Sequence, residues 1–306
     1  MKKQVKWEGI YPAVTTKFNE KEDLDIPMYL KNIEAQIQAG FDGIIIGGSL
    51  GESSTITHEE RLELLTATLE QSNGRVDVIL NIAEGSLRNA LSLAQKAQDG
   101  GAHGLMLLPP MMYKPTDDET ADYFKTVATN IDLPILIYNN PVDYKIEITI
   151  PMFEEFTKYD NLNAVKESTR DISNVTRMKT RFGDRFKVLC GVDTLAMEEL
   201  LMGADGWVAG LVDAFPAETV AIYRLVKAGR IEEARDIYRW FLPILELDIN
   251  PQLVQNIKLA EVMTGLGTEH VRLPRQKLKG AERERVIGIL EHGLANRPTL
   301  PDYMNL

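Results

Sequence analysis

One alternation constrains this chain more than any other feature. A short apolar, β-branched run is followed by a longer stretch with helical periodicity and charged faces, and the unit occurs eight times. The runs occupy residues 10–16, 43–48, 76–82, 104–108, 134–138, 162–166, 187–190 and 206–209. Most starts are separated by roughly 25 to 35 residues, the size of a strand, a helix and two short loops. The last interval is shorter and predicts a stubby helix. Strands joined by helices run parallel and are buried on both faces, and an open sheet of them leaves two edges to protect. The pattern therefore predicts an α/β fold, a closed (β/α)8 TIM barrel, with an open doubly wound sheet as the rival arrangement.

Helix ends are marked as clearly as the strands. Thr57-His58-Glu59-Glu60 and Thr116-Asp117-Asp118-Glu119 read as capping boxes, and Pro216 falls in a first turn followed by Glu218. Gly40, Gly101, Gly183, Gly203 and Gly229 each close a helical pattern just ahead of the next element. After Gly229 the strand signals stop. Three further helices are expected over 231–247, with Pro243 as a kink, 251–265 and 280–294. The predicted division is a barrel over 1–229 and a C-terminal helical region over 230–306, packed on the barrel.

Composition narrows the partners. With 34 basic against 45 acidic residues the net charge is −11, which offers no basic face, so nucleic acid is not expected to bind. No uncharged apolar stretch is long enough to cross a bilayer, and the basic start at residues 1–6 has no apolar run behind it, so no membrane partner is expected. Cys190 is the only cysteine, which fits a reducing compartment, and a cytoplasmic location is expected. His58, His103, His270 and His292 lack ligand-like spacing, so no metal is expected.

In a barrel, chemistry stands at the C-terminal strand ends. Lys166 follows Leu162-Asn163-Ala164-Val165. Pointed inward, its ammonium is desolvated, which lowers its pKa and frees an amine to attack a carbonyl carbon. A lysine that snorkels from a strand end to water is the plainer alternative. Tyr138, at the end of the neighbouring strand, adds a phenol suited to proton transfer around an iminium, or else a buried structural tyrosine.

The loop Gly47-Gly48-Ser49-Leu50-Gly51 formally matches a nucleophile elbow, but an elbow turns straight into a helix, and here the helix waits for the cap at Thr57. The dinucleotide glycine pattern fails at Ile46. What remains is a nest of backbone N–H groups with a serine hydroxyl, suited to a carboxylate. Cys190-Gly191-Val192-Asp193 and Val208-Ala209-Gly210 close the last two strands, and Met111-Met112-Tyr113 after the fourth reads as wall or subunit contact.

Taken with Tyr11-Pro12-Ala13-Val14-Thr15-Thr16, Leu108-Pro109-Pro110, Tyr138-Asn139-Asn140-Pro141 and Ala164-Val165-Lys166-Glu167, the chain resembles the dihydrodipicolinate synthase / N-acetylneuraminate lyase family of Schiff-base barrels over nearly its whole length. The resemblance implies Lys166 as the Schiff-base lysine, Tyr138 as the proton-transfer tyrosine and Ser49, with the N–H of Leu50, as the seat of a 2-oxo acid carboxylate. It implies Gly48, Leu50, Asp143, Gly191 and Val208 as substrate-lining positions. It further implies no cofactor and a homotetramer, a dimer of dimers, with Met112 and Tyr113 near a subunit contact.

The departures matter as much. Synthases of the family carry two threonines where this chain has Ser49-Leu50, and an arginine where it has Asp143, and a tyrosine lent by a neighbouring subunit would fall at Met112. Within the family the chain looks most like 1-pyrroline-4-hydroxy-2-carboxylate deaminases of hydroxyproline breakdown, which implies a cyclic imino acid substrate, with 2-oxoglutarate semialdehyde and ammonia as products. The alternatives are a dihydrodipicolinate synthase-like enzyme or a 4-hydroxy-2-oxo acid aldolase. A barrel that binds oxo acids without turnover is the non-enzymatic alternative, and it needs neither Lys166 nor Tyr138.

Overall fold

The computed structural model describes residues 5–306, so residues 1–4 of the basic start lie outside the described residues. Eight parallel strands form one sheet: β1 (Gly9–Pro12), β2 (Gly43–Ile46), β3 (Asp77–Ile82), β4 (Gly104–Leu107), β5 (Ile135–Asn139), β6 (Leu162–Glu167), β7 (Lys187–Cys190) and β8 (Gly206–Ala209). The order β1-β8-β7-β6-β5-β4-β3-β2 brings β1 back beside β2, where an Ala13–Ile45 bridge and the bond from Val14 N to Ile45 O (3.0 Å) draw the seam together. The fold is a (β/α)8 TIM barrel. Nearly every strand residue is buried, the requirement for strands covered by helices outside and by packed side chains within.

The first strand is shorter than its apolar run. Ala13 and Val14 still donate to Ala209 O and Ile45 O on the flanking strands, but Thr15 N donates to the Asp213 carboxylate at 2.9 Å. Both capping boxes form, opening helices His58–Ser72 and Asp117–Asn130. Gly40 ends helix Ile26–Ala39 with φ 91°, a left-handed turn that strains any residue with a Cβ.

Three helices follow the barrel units at the C-terminus: Ile231–Leu245, Leu253–Thr264 and Gly280–Ala295. The first contains Pro243 and ends two residues short of the predicted stretch. Two buried ion pairs tie the second to the barrel mouth, Lys17–Glu261 at 2.8 Å and Lys258–Glu52, with all four side chains inaccessible. Glu52 closes the glycine–serine loop, so this helix braces that loop from behind. Among the described residues no helix is long and apolar enough to cross a membrane.

Candidate active site

A cleft of about 660 Å³ opens at the C-terminal strand ends, and Lys166, Tyr138, Ser49, Gly48, Leu50, Asp143, Gly191 and Val208 all line it. The strand register does part of the positioning. Tyr138 of β5 pairs with Lys166 of β6, so both project from neighbouring strand ends at one level. The Lys166 Nζ stands 4.2 Å above the centre of the Tyr138 ring and makes no hydrogen bond or ion pair among the described residues. Gly191 makes room for it, since a Cβ there would lie 2.7 Å from Lys166 Cγ.

Burial pushes the Lys166 pKa down, against the opposing pull of Tyr144, Asp248 and Asp193. The Asp193 carboxylate is already spent on structure: it accepts from Trp207 Nε1 (2.9 Å), Leu211 N (2.9 Å) and Gly210 N (3.1 Å), holding β7 to the end of β8. An amine that is partly desolvated and unpaired keeps its lone pair for an electrophile. The Tyr138 hydroxyl is pushed up to about 12 by burial, eased by Asn140 and Ser168, so it is a proton donor at neutral pH. It accepts a hydrogen bond from Asn140 Nδ2 at 3.2 Å.

Ser49 sits in a loop folded on itself by bonds from Ser53 N to Gly48 O and from Glu52 N to Ser49 O, both 3.1 Å. Asn81 of β3 anchors the loop by donating to Gly47 O at 3.0 Å. The N–H of Leu50 has no acceptor among the described residues and stands next to the Ser49 hydroxyl in sequence, a pair of donors suited to one carboxylate. The next helix starts only at His58, so Ser49 does not occupy a strand-to-helix elbow.

The Ser49 hydroxyl is not alone. Tyr144 OH lies 2.6 Å from it, and the Tyr144 ring packs edge-on against Tyr138 with centroids 5.5 Å apart. Burial raises the Tyr144 pKa, so it too holds its proton. Sequence reasoning missed this residue. The available signal was Asn140-Pro141: an N-cap followed by a first-turn proline builds the single-turn helix Pro141–Tyr144, which returns Tyr144 over the end of β5.

Three other charged groups of the cleft carried no motif. Arg170 follows β6, Asp248 lies between the first two C-terminal helices, and Arg275 lies beyond the second. Asp143 is therefore not an isolated carboxylate, because Arg170 Nη2 stands 3.7 Å from its Oδ1. The repulsion of a second substrate carboxylate that Asp143 alone implies is offset by this cation. Met112 and Tyr113 are outside the cleft, 81% and 54% exposed, while Met111 lines it.

The sequence profile of the dihydrodipicolinate synthetase family matches residues 6–293. A 4-hydroxy-tetrahydrodipicolinate synthase of Methanoculleus marisnigri is 30% identical over 94% of this chain and 100% of its own length. The crystal structure of dihydrodipicolinate synthase from Aquifex aeolicus superposes with a TM-score of 0.89 at 28% identity, covering 93% of this chain and 97% of that one. YagE of E. coli K12, a prophage protein of the dihydrodipicolinic acid synthase family solved in complex with pyruvate, gives a TM-score of 0.88 at 26% identity over 94% of this chain and 98% of its own.

Proposed function

This chain belongs to the dihydrodipicolinate synthetase family, and from that premise we propose that it is a Schiff-base lyase of 2-oxo acids in which Lys166 is the amine. The observation that carries the reading is the unpaired Lys166 Nζ, held 4.2 Å over the Tyr138 ring in a cleft that also holds the Ser49 hydroxyl. Burial lowers the lysine's pKa and so favours the uncharged amine, the form that adds to the C2 carbonyl of an oxo acid. The acid's carboxylate is seated on Ser49 Oγ–H and Leu50 N–H. Loss of water from the carbinolamine needs one proton on the departing hydroxyl, and the phenol of Tyr138, beside Lys166, is the donor at hand. Removal of a C3 proton from the iminium gives an enamine that attacks an aldehyde. The reverse course cleaves the same carbon–carbon bond, and hydrolysis returns Lys166.

The relatives named as synthases and the pyruvate bound to YagE support carbon–carbon chemistry on a pyruvate unit as the first reading. A deaminase of 1-pyrroline-4-hydroxy-2-carboxylate is the second. Addition of Lys166 to the ring C=N carbon opens the ring and leaves an amine on C5, and a cleft carboxylate such as Asp143 suits that amine. A substrate panel separates them: pyruvate released from 4-hydroxy-2-oxo acids, or condensed with aspartate semialdehyde, supports the first. Ammonia from the pyrroline with neither of those products supports the second. No turnover of any of the three leaves an oxo-acid-binding barrel and contradicts both.

A further inference from the structure

Arg170 is an unusual residue in an unusual place. It lines the cleft and is 41% exposed, yet its backbone has φ 63°, the left-handed region that strains a residue with a Cβ. An exposed arginine is never needed to make a turn, and glycine would take this φ without strain. The strain is tolerated where it aims the guanidinium, and here the direction is toward Asp143 and the cleft.

The guanidinium is held but not consumed. Its 3.7 Å approach to Asp143 is an ion pair without a hydrogen bond, and Arg170 makes no hydrogen bond among the described residues. Asp143 has its own partner, accepting from Asn140 Nδ2 at 2.8 Å, and the same amide group donates to Tyr138 OH at 3.2 Å. Asn140 also fixes the backbone of Asp143 through a bond from Asp143 N to its side-chain oxygen (3.1 Å). A polar chain thus runs from the buried phenol out to the arginine, and all the N–H donors of the arginine remain for a ligand.

We propose that Arg170 is the specificity-determining residue of the cleft and holds a second carboxylate, at the end of the substrate opposite the oxo-acid group. The proposal rests on the Schiff-base reading above and adds the substrate class: a chain with acid groups at both ends, one on Ser49 and Leu50, the other on Arg170. A planar guanidinium with free donors matches a carboxylate in a bidentate pair. A phosphate dianion fits less well, because Asp143 stands beside Arg170 in the cleft and repels a doubly charged group more than a singly charged one.

Borohydride trapping of the lysine iminium across a concentration series of 2-oxoglutarate, and of 2-oxopentanoate, which has the same chain but lacks the far carboxylate, tests this. The wild-type chain half-saturates with 2-oxoglutarate at roughly 10- to 100-fold lower concentration than with 2-oxopentanoate, the worth of a charge-assisted pair. Arg170→Gly, which relieves the left-handed strain, and Arg170→Gln both abolish that preference while 2-oxopentanoate trapping stays within about threefold of wild type. A preference that survives in both variants overturns the assignment of Arg170 and leaves the Schiff base standing. Absence of any trapping in the wild-type chain removes the Schiff-base reading and this one with it. Inorganic phosphate competing with 2-oxoglutarate more strongly than propionate does makes the subsite a phosphate site and contradicts the carboxylate assignment.

Discussion

The Ser49 hydroxyl and the Tyr144 phenol stand 2.6 Å apart, joining the loop after β2 to the one-turn helix after β5. If Tyr144 donates, the Ser49 proton is free for the carboxylate that the proposed reading seats there, and Tyr144 then sets the direction of the Ser49 hydroxyl without touching the oxo acid. Tyr144→Phe is expected to lower kcat/KM by about 10- to 100-fold, chiefly through KM for the oxo acid, with the melting temperature nearly unchanged. Equal effects on an oxo acid and on the aldehyde that lacks its carboxylate would contradict the positioning role.

Tyr138→Phe is expected to act on kcat instead, by about 10²- to 10⁴-fold, as loss of a proton-transfer group does. The aromatic ring itself stays beneath the Lys166 Nζ in that variant, so the fold is expected to survive. A melting assay that loses stability in step with activity would favour a structural tyrosine.

The pH profile follows from the lysine. Its pKa is lowered by burial and partly restored by Tyr144 and Asp248, and the uncharged form is the one that reacts in the proposed mechanism, so activity is expected to rise with pH through the lowered pKa. Asp248→Asn removes one of the groups that favour the charged form. The acid limb of kcat/KM is therefore expected to move to lower pH, and an unmoved limb would show that Asp248 does not act on Lys166.

Behind the cleft, Glu199 is buried with neither carboxylate oxygen accepting a hydrogen bond from a polar partner, and burial, then Glu167, push its pKa from an ordinary 4.5 to about 8. The folded chain keeps this proton where the unfolded chain has lost it. Stability is therefore expected to fall as pH rises from about 4.5 to about 8. Glu199→Gln should flatten that decline in a melting series, and an unchanged slope would place the titration elsewhere.

The barrel was legible because its signals are local. Burial on both faces writes itself into the strands as continuous apolar runs, and the Thr57 and Thr116 caps state where helices begin. Lys166 and Tyr138 stood out for a related reason, a polar group at the end of an apolar run. Tyr144, Arg170 and Asp248 did not, because each reaches the cleft through a turn or through packing of distant segments. Arg170 sits in a polar stretch, and its left-handed backbone leaves no mark in the sequence, since the residue there is not glycine. Asp248 depends on how the C-terminal helices meet the barrel mouth, which no spacing encodes.

The proposed chemistry requires one covalent bond between Lys166 and the oxo acid, and borohydride with peptide mapping measures it directly. The chain incubated with pyruvate and borohydride should gain the mass of a reduced pyruvate adduct on the peptide containing Lys166, and Lys166→Arg should gain none. Turnover of an oxo acid with Lys166 left unmodified, or an adduct mapped to another lysine, would contradict the central claim.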